Sequence, residues 1–467
     1  MINKKGVITS ISQITIVNLF SMFVTAFLTL VVPRCVNQTD YGLWQLFVFY
    51  QGYLGFFHFG WNDGIYLRYG GYEYSKLDKK SMFSQFWTML IVEGGLGLCF
   101  TLGAPLIIGH TIEHKYIAWQ LGINLVILNS RYMLIYLLQT TSRIKEYSVV
   151  LGVDRFMYFI GIVILLLCKK FGFEDLIWVE TISKTLAYIV AIYYCKDFIF
   201  QKITKIYVDL FEIFENVRVG SKLLFSNIAS ILIMGICRVG IEKNWGIEIF
   251  GEVSLTITLS QLFITFITNI GMVLFPLLKR IDSTKMAQLY NTLDGLVTSA
   301  IMFVLVWYYP ASLILERWIP AYTTSIMYMG ILLPICFYES KMALLNSTYL
   351  KALREERTLL RVNICTMILS LMLTFSTSFV LKNLELAIAS ITIVLAVRSI
   401  WSGWEIDKII HTGKRHILNF ENVGMIVFII ANYFISGWKG FVIYAIISLL
   451  VIGMNLVRYS KLKTAEN

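Results

Sequence analysis

The sequence predicts an all-α integral membrane protein of about fourteen transmembrane helices, with two six-helix lobes in parallel pseudo-repeat and two further helices at the C-terminus. Three observations lead there. Of 467 residues, 57% are hydrophobic and only 15% charged, whereas an ordinary soluble domain carries about a quarter charged residues. Apolar runs of roughly 18–24 residues recur along almost the whole chain, each about long enough to cross ~30 Å of hydrocarbon. The lysines and arginines crowd into alternate joints between those runs.

The first run covers about 11–32. It follows a short basic start and ends at Pro33 with no small-residue cleavage site, so it is expected to stay in the membrane as a helix. Thirteen more follow, at roughly 41–61, 85–108, 116–138, 149–167, 177–195, 219–238, 253–278, 290–309, 323–347, 359–380, 384–404, 421–436 and 438–457. Only Gly437 and Trp438 separate the last two.

Charge orients these spans. With fourteen of them, one set of alternate joints plus both termini holds 26 Lys and Arg, and the other set holds 8. The positive-inside rule then puts both termini on the cytoplasmic side of the cell membrane. The same asymmetry accounts for the net charge of +11 through anionic lipid, without nucleic acid.

Six cations remain inside the spans: Arg131, Arg155, Lys184, Arg238, Lys341 and Arg398. Each costs at least about 2.5–3.5 kcal/mol at mid-depth, so such residues normally face a protein interior or a wet cavity. Glu93, Asp154, Glu180 and Glu339 are acids in the same position. Glu180 and Lys184 stand at i, i+4 and pair locally, while Arg155, Arg238 and Arg398 lie near predicted span ends, where long side chains snorkel. Polar stripes accompany them: Asn18, Ser21, Thr25 and Thr29 on one face of the first span, Asn124 two turns before Arg131 in the fourth, and Gln261, Thr265 and Thr268 in the eighth.

A shift of 209 residues lays Ser12, Asn18 and Ser21 on Ser221, Asn227 and Ser230, and Tyr41-Gly42 on Phe250-Gly251. The longest interior joint, about 195–218, falls where a six-plus-six division belongs. The expected lobes are therefore 1–205 and 206–415, with 416–467 appended. Under the same shift Arg131 falls beside Lys341. The two are expected to project into a central cavity, one cation from each lobe, and their alanine variants to stay folded while losing transport.

The stretch Asp40-Tyr41-Gly42-Leu43-Trp44-Gln45-Leu46-Phe47, followed by His58-Phe59-Gly60-Trp61-Asn62-Asp63-Gly64-Ile65-Tyr66-Leu67-Arg68-Tyr69-Gly70-Gly71, resembles the second-span pattern of Wzx-type oligosaccharide flippases. These form the polysaccharide-export branch of the multidrug/oligosaccharidyl-lipid/polysaccharide (MOP) exporter superfamily. The resemblance implies a transporter, not an enzyme, that moves undecaprenyl-pyrophosphate-linked oligosaccharide repeat units for a surface polysaccharide such as O-antigen, by alternating access and with a possible coupling ion. Arg131, Lys341, Asn18, Asn124, Asn227, Arg238, Arg155 and Lys184 are the candidate substrate-binding residues, because guanidinium and ammonium groups bind phosphate strongly in a low dielectric.

Other chemistry is absent. No GxxxxGK[ST] loop occurs. The seven cysteines are scattered without a CxxC pair, and neither cofactor nor metal is expected. His110-Thr-Ile-Glu113-His114 fits the HxxEH pattern of inverted zinc peptidases but lacks an evident third ligand, and reads as coincidence. Two rival functions stay open: a multidrug and toxin extrusion transporter, which favours carboxylates in its cavity, and a membrane-embedded polysaccharide polymerase or glycosyltransferase, which needs a larger external loop than any here.

Overall fold

The computed structural model describes residues 4–109, 111–169, 171–201, 208–271, 283–413, 419–435 and 437–464, and every regular element among them is helical. Among the described residues ten helices are long and apolar enough to cross a bilayer, and Pro320–Leu332 with Pro334–Ala352 makes a further span bent by 47°. One of the ten is double. The helix Leu210–Gly271 runs 62 residues, but Gly246 sits at φ 84°, ψ −176° and divides it into the seventh and eighth spans. The broken second segment, Gln38–Arg68, and the short Phe420–Ile435 complete the fourteen segments of the expected order.

The second segment is not the single helix that its apolar run suggests. Asn37 caps its start by accepting the Asp40 N–H at 2.7 Å, and the helix stops at Gln51. A 3₁₀ turn follows over Leu54–His58, then Phe59 (φ 51°) and Gly60 (φ 86°) in the left-handed region, then a helix over Trp61–Arg68. Glycine is needed at Gly60 twice over, for the positive φ and for space: an added Cβ would lie 2.4 Å from the Ser221 amide nitrogen. At Gly64 a Cβ would meet the Asn216 carbonyl at 1.9 Å, and at Gly220 it would meet the Gly60 carbonyl at 1.9 Å. Three glycines thus bring Trp61–Arg68 and the start of the seventh span backbone to backbone.

Polar groups fasten that crossing. Arg68 pairs with Glu212 at 2.8 Å and donates to Asn216 at 2.9 Å. Gln85 accepts from both Asn216 and Trp61, and Ser81 donates to Asp209 at 2.7 Å. The chain accordingly forms two compact units, Met1–Ile228 and Ala229–Asn467. This division falls inside the seventh span, because residues 209–221 are bonded to the first unit, whereas the sequence places the joint near 205.

Helix boundaries carry the internal offset. The cap at Asn37 and the break at Gly246 are 209 residues apart. The fourth, fifth and sixth spans begin at Ile112, Ile144 and Phe173, and their counterparts begin 211, 212 and 211 residues later, at Thr323, Glu356 and Leu384.

Within the first unit the fourth span (Ile112–Thr140) is central, with 72% of its apolar window buried against 17–22% for the first, third and fifth. Met133, Leu134 and Leu138 of that span pack with Met82 and Phe86 of the third and Ala187 of the sixth. Leu102 and Leu106 point outward, as lipid-facing residues of a span do.

Candidate substrate-binding site

In the first unit the charged side chains gather on the fourth, fifth (Ile144–Cys168) and sixth (Phe173–Tyr194) spans. Arg131 is buried, and its guanidinium meets Asp154 of the fifth span at 2.7 Å. Ser183 of the sixth span donates to the other Asp154 oxygen at 3.5 Å. One turn away, Lys184 pairs with Glu180 as the i, i+4 spacing predicts. Arg155 stands beside Asp154 in sequence, is exposed, and acts with Lys184 on that carboxylate through charge. Three cations therefore face two carboxylates. The cluster carries one positive charge in excess, and its exposed member is Arg155, in the middle of the helix Ile144–Cys168.

The amides divide. Asn124 is fully buried and holds three spans together: it donates to Thr181 of the sixth at 2.8 Å and accepts from Gln51 of the second at 3.3 Å. Asn18 is half-buried in the first span. Along its stripe Ser21, Thr25 and Thr29 each donate to the carbonyl four residues back, so their hydroxyls are engaged within the helix.

In the second unit Lys341 opens a π-helical segment, Lys341–Asn346, just after the bend of the tenth span. Its ammonium touches Asp294 of the ninth span at 2.6 Å and Glu421 of the thirteenth at 2.7 Å. It borders a small cleft also lined by Tyr290, Tyr338, Asn346, Asn419 and Asn422. Here two carboxylates meet one cation and the excess is negative. Arg398 is buried halfway along the twelfth span, pairs with Glu339 at 3.1 Å, and reaches Asn363 and Ser230. Arg238 donates to Ser254 at 2.7 Å and lies over the Phe250 ring. Asn227, at the edge of the first unit, is exposed.

Two expectations need correction. Arg131 and Lys341, expected to project into a central cavity, instead each end in an ion pair within their own unit, because the neighbouring helices supply Asp154 in one case and Asp294 and Glu421 in the other. Arg398 does not snorkel, since Glu339, Asn363 and Ser230 satisfy it in place. Asp294 and Glu421 escaped the sequence reading because both sit at the edges of their runs. Acids at the predicted ends of the ninth and thirteenth spans were the available signal.

The HxxEH stretch is a helix start. Thr111 caps the fourth span, and its hydroxyl lies 2.6 Å from His114 Nδ1. His110 lies outside the described residues, and among those described no three His, Cys, Asp or Glu side chains could hold a metal.

The fold has solved counterparts. The lipid II flippase MurJ, in an inward closed conformation, matches with a TM-score of 0.68 at 12% identity, over 96% of this chain and 98% of that one. A MOP superfamily transporter from Pyrococcus furiosus, described by a reversed polarity of its binding pocket, matches with a TM-score of 0.55 at 13% identity, over 87% and 96%. A multidrug resistance MATE family transporter in an outward-facing conformation gives 0.54 at 14%, over 86% and 96%. No family model matches the sequence, and no curated protein does. At these identities the likeness establishes the MOP-transporter fold.

Proposed function

We propose that the protein is a flippase that moves an undecaprenyl-pyrophosphate-linked oligosaccharide repeat unit across the cytoplasmic membrane by alternating access, with both termini in the cytoplasm. The observation that carries this reading is the cluster on spans four to six, where Arg131, Arg155 and Lys184 outnumber Asp154 and Glu180 and Arg155 is exposed. An exposed guanidinium backed by a net positive, largely buried cluster suits a pyrophosphate, whose oxygens take its N–H groups in pairs. The structure of a lipid II flippase covers 96% of the chain, which supports a lipid-linked load. The MATE transporter's shorter coverage differs from this by roughly the length of the two C-terminal helices.

On this reading Arg155 binds the headgroup directly. Arg131 and Lys184 position it and keep Asp154 and Glu180 from repelling it, and Asn124 holds the surrounding helices. The test is surface polymer in a strain lacking the gene, with membrane abundance measured alongside. Arg155→Ala removes a charge-assisted contact worth about 1.5–3 kcal/mol, roughly ten- to a hundred-fold in affinity. Polymer should fall with normal protein abundance, and Arg155→Lys should retain part of it. Unchanged polymer in the alanine variant would take Arg155 out of the mechanism.

A second reading, export of organic cations, rests on the excess negative charge around Lys341. It predicts drug susceptibility without polymer loss when Glu421 is replaced by Gln.

A further inference from the structure

Glu93 stands halfway along the third span (Lys79–Ile108) and is 1% exposed. Among the described residues no Lys, Arg or His pairs with it. Its one hydrogen bond is accepted from the Asn129 side chain, 3.0 Å away. A carboxylate so placed carries an uncompensated charge in the middle of an apolar span, which costs several kcal/mol. Asp154, Glu180, Asp294 and Glu421, buried acids of other spans, each meet a Lys or Arg.

Asn129, itself fully buried, is the junction. Its amide donates to Glu93 and also to the Leu54 carbonyl, 3.1 Å away, at the start of the 3₁₀ turn that breaks the second segment. Its backbone carbonyl accepts from the Asn62 side chain at 3.0 Å, just beyond the left-handed pair Phe59 and Gly60. Both sides of the break are thus held by one residue, and that residue is held by Glu93. Asn62 and Asn129 each keep a buried side-chain oxygen with no hydrogen-bond partner among the described residues.

We propose that Glu93 is a proton-binding site whose occupancy is read by the break in the second segment through Asn129. A hydronium gives its proton to a Glu93 carboxylate oxygen and leaves as water, and the charge vanishes. A neutral carboxyl is a weaker acceptor than a carboxylate, so the Asn129 N–H bond loosens and with it the clamp on Leu54. The hinge at Phe59–Gly60 is then free to turn. The other charged groups beside the third span stand apart from Glu93, Asp209 among them, bonded to Ser81 and Ser84 near the span's start. His58 lies 3.9 Å from Asp63, Arg131 is held by Asp154, Glu113, His114 and Lys115 lie at the far start of the fourth span, and Lys196 and Asp197 lie in the short helix after the sixth.

The test uses the full-length protein in lipid nanodiscs, titrated from acid to alkaline pH in potassium buffer and again in sodium buffer. Infrared difference spectra should contain a protonated-carboxyl band that titrates equally in both buffers. Glu93→Gln should abolish it and Asp63→Asn should keep it. Amide hydrogen exchange of residues 52–62, corrected for intrinsic pH dependence, should quicken at acid pH in the wild type and become independent of pH in Glu93→Gln. A wild type without a titrating buried carboxyl overturns the proposal, with no variant needed. A band lost in sodium overturns it in favour of an alkali cation, and a titrating band with an unresponsive segment 52–62 overturns the coupling.

Discussion

Replacing Lys341 with alanine should destabilise the protein severely, the reverse of what a free cavity cation would do. The ammonium lies 2.6 Å from Asp294 and 2.7 Å from Glu421, so the two carboxylates stand within about 5.3 Å of each other. At an effective dielectric of about 20, each contact is worth roughly 6 kcal/mol of raw attraction, and the carboxylates repel by about 3 kcal/mol. Desolvation offsets much of the attraction in the intact triad. In the alanine variant the repulsion and the burial cost remain with nothing against them. Breaking a buried pair from one side costs about 3–5 kcal/mol, and two acids left behind put Lys341→Ala at or above the upper end. The assay is unfolding of the purified protein in detergent, followed by thermal scan and by loss of the monodisperse peak. A triple variant, Lys341→Met with Asp294→Asn and Glu421→Gln, removes all three charges and should recover most of the loss. Wild-type stability in Lys341→Ala alone would refute the triad.

Two other outcomes are expected. Gly64→Ala should cost about 1–3 kcal/mol or more by overpacking, because its Cβ would stand 1.9 Å from the Asn216 carbonyl, while Gly94→Ala, with nothing within 4 Å, should be neutral; equal stability of the two would contradict the glycine crossing. Cys195 lies beyond the end of the sixth span, and burial pushes its thiol up to about 12. The folded state therefore holds this proton more tightly than the unfolded chain, so the stabilisation is full at neutral pH and fades as pH rises through the ordinary thiol range toward 12. In a variant keeping only Cys195, a water-soluble maleimide should label the denatured protein and spare the native one, and native labelling at neutral pH would contradict this burial.

The helices were legible in the sequence because each needs only an apolar run, and among the described residues every run is at least partly helical. Two breaks were not. Gly60 turns the chain because its backbone meets Ser221, and Gly246 divides one continuous helix where the sequence suggests a joint at about 239–252. Both depend on backbone geometry that composition does not carry. The pair Glu180–Lys184 was legible from its i, i+4 spacing, since one helix brings the two together. Arg131 with Asp154 and Lys341 with Asp294 and Glu421 were not, because their partners arrive from other helices, up to 80 residues away. A buried cation read alone looks like a site; its partners decide whether it is one.

The central claim is that a lipid-linked oligosaccharide is the load. Its most direct test is translocation in proteoliposomes holding the purified protein and an undecaprenyl-pyrophosphate-linked oligosaccharide labelled on its sugar, with the inner-leaflet fraction followed by a membrane-impermeant quencher. The account predicts quenching of the initially protected pool without ATP, slowed roughly tenfold or more in Arg155→Ala at sub-saturating substrate. A protected pool that stays protected, in vesicles of the same protein that accumulate an organic cation against a pH gradient, would contradict it.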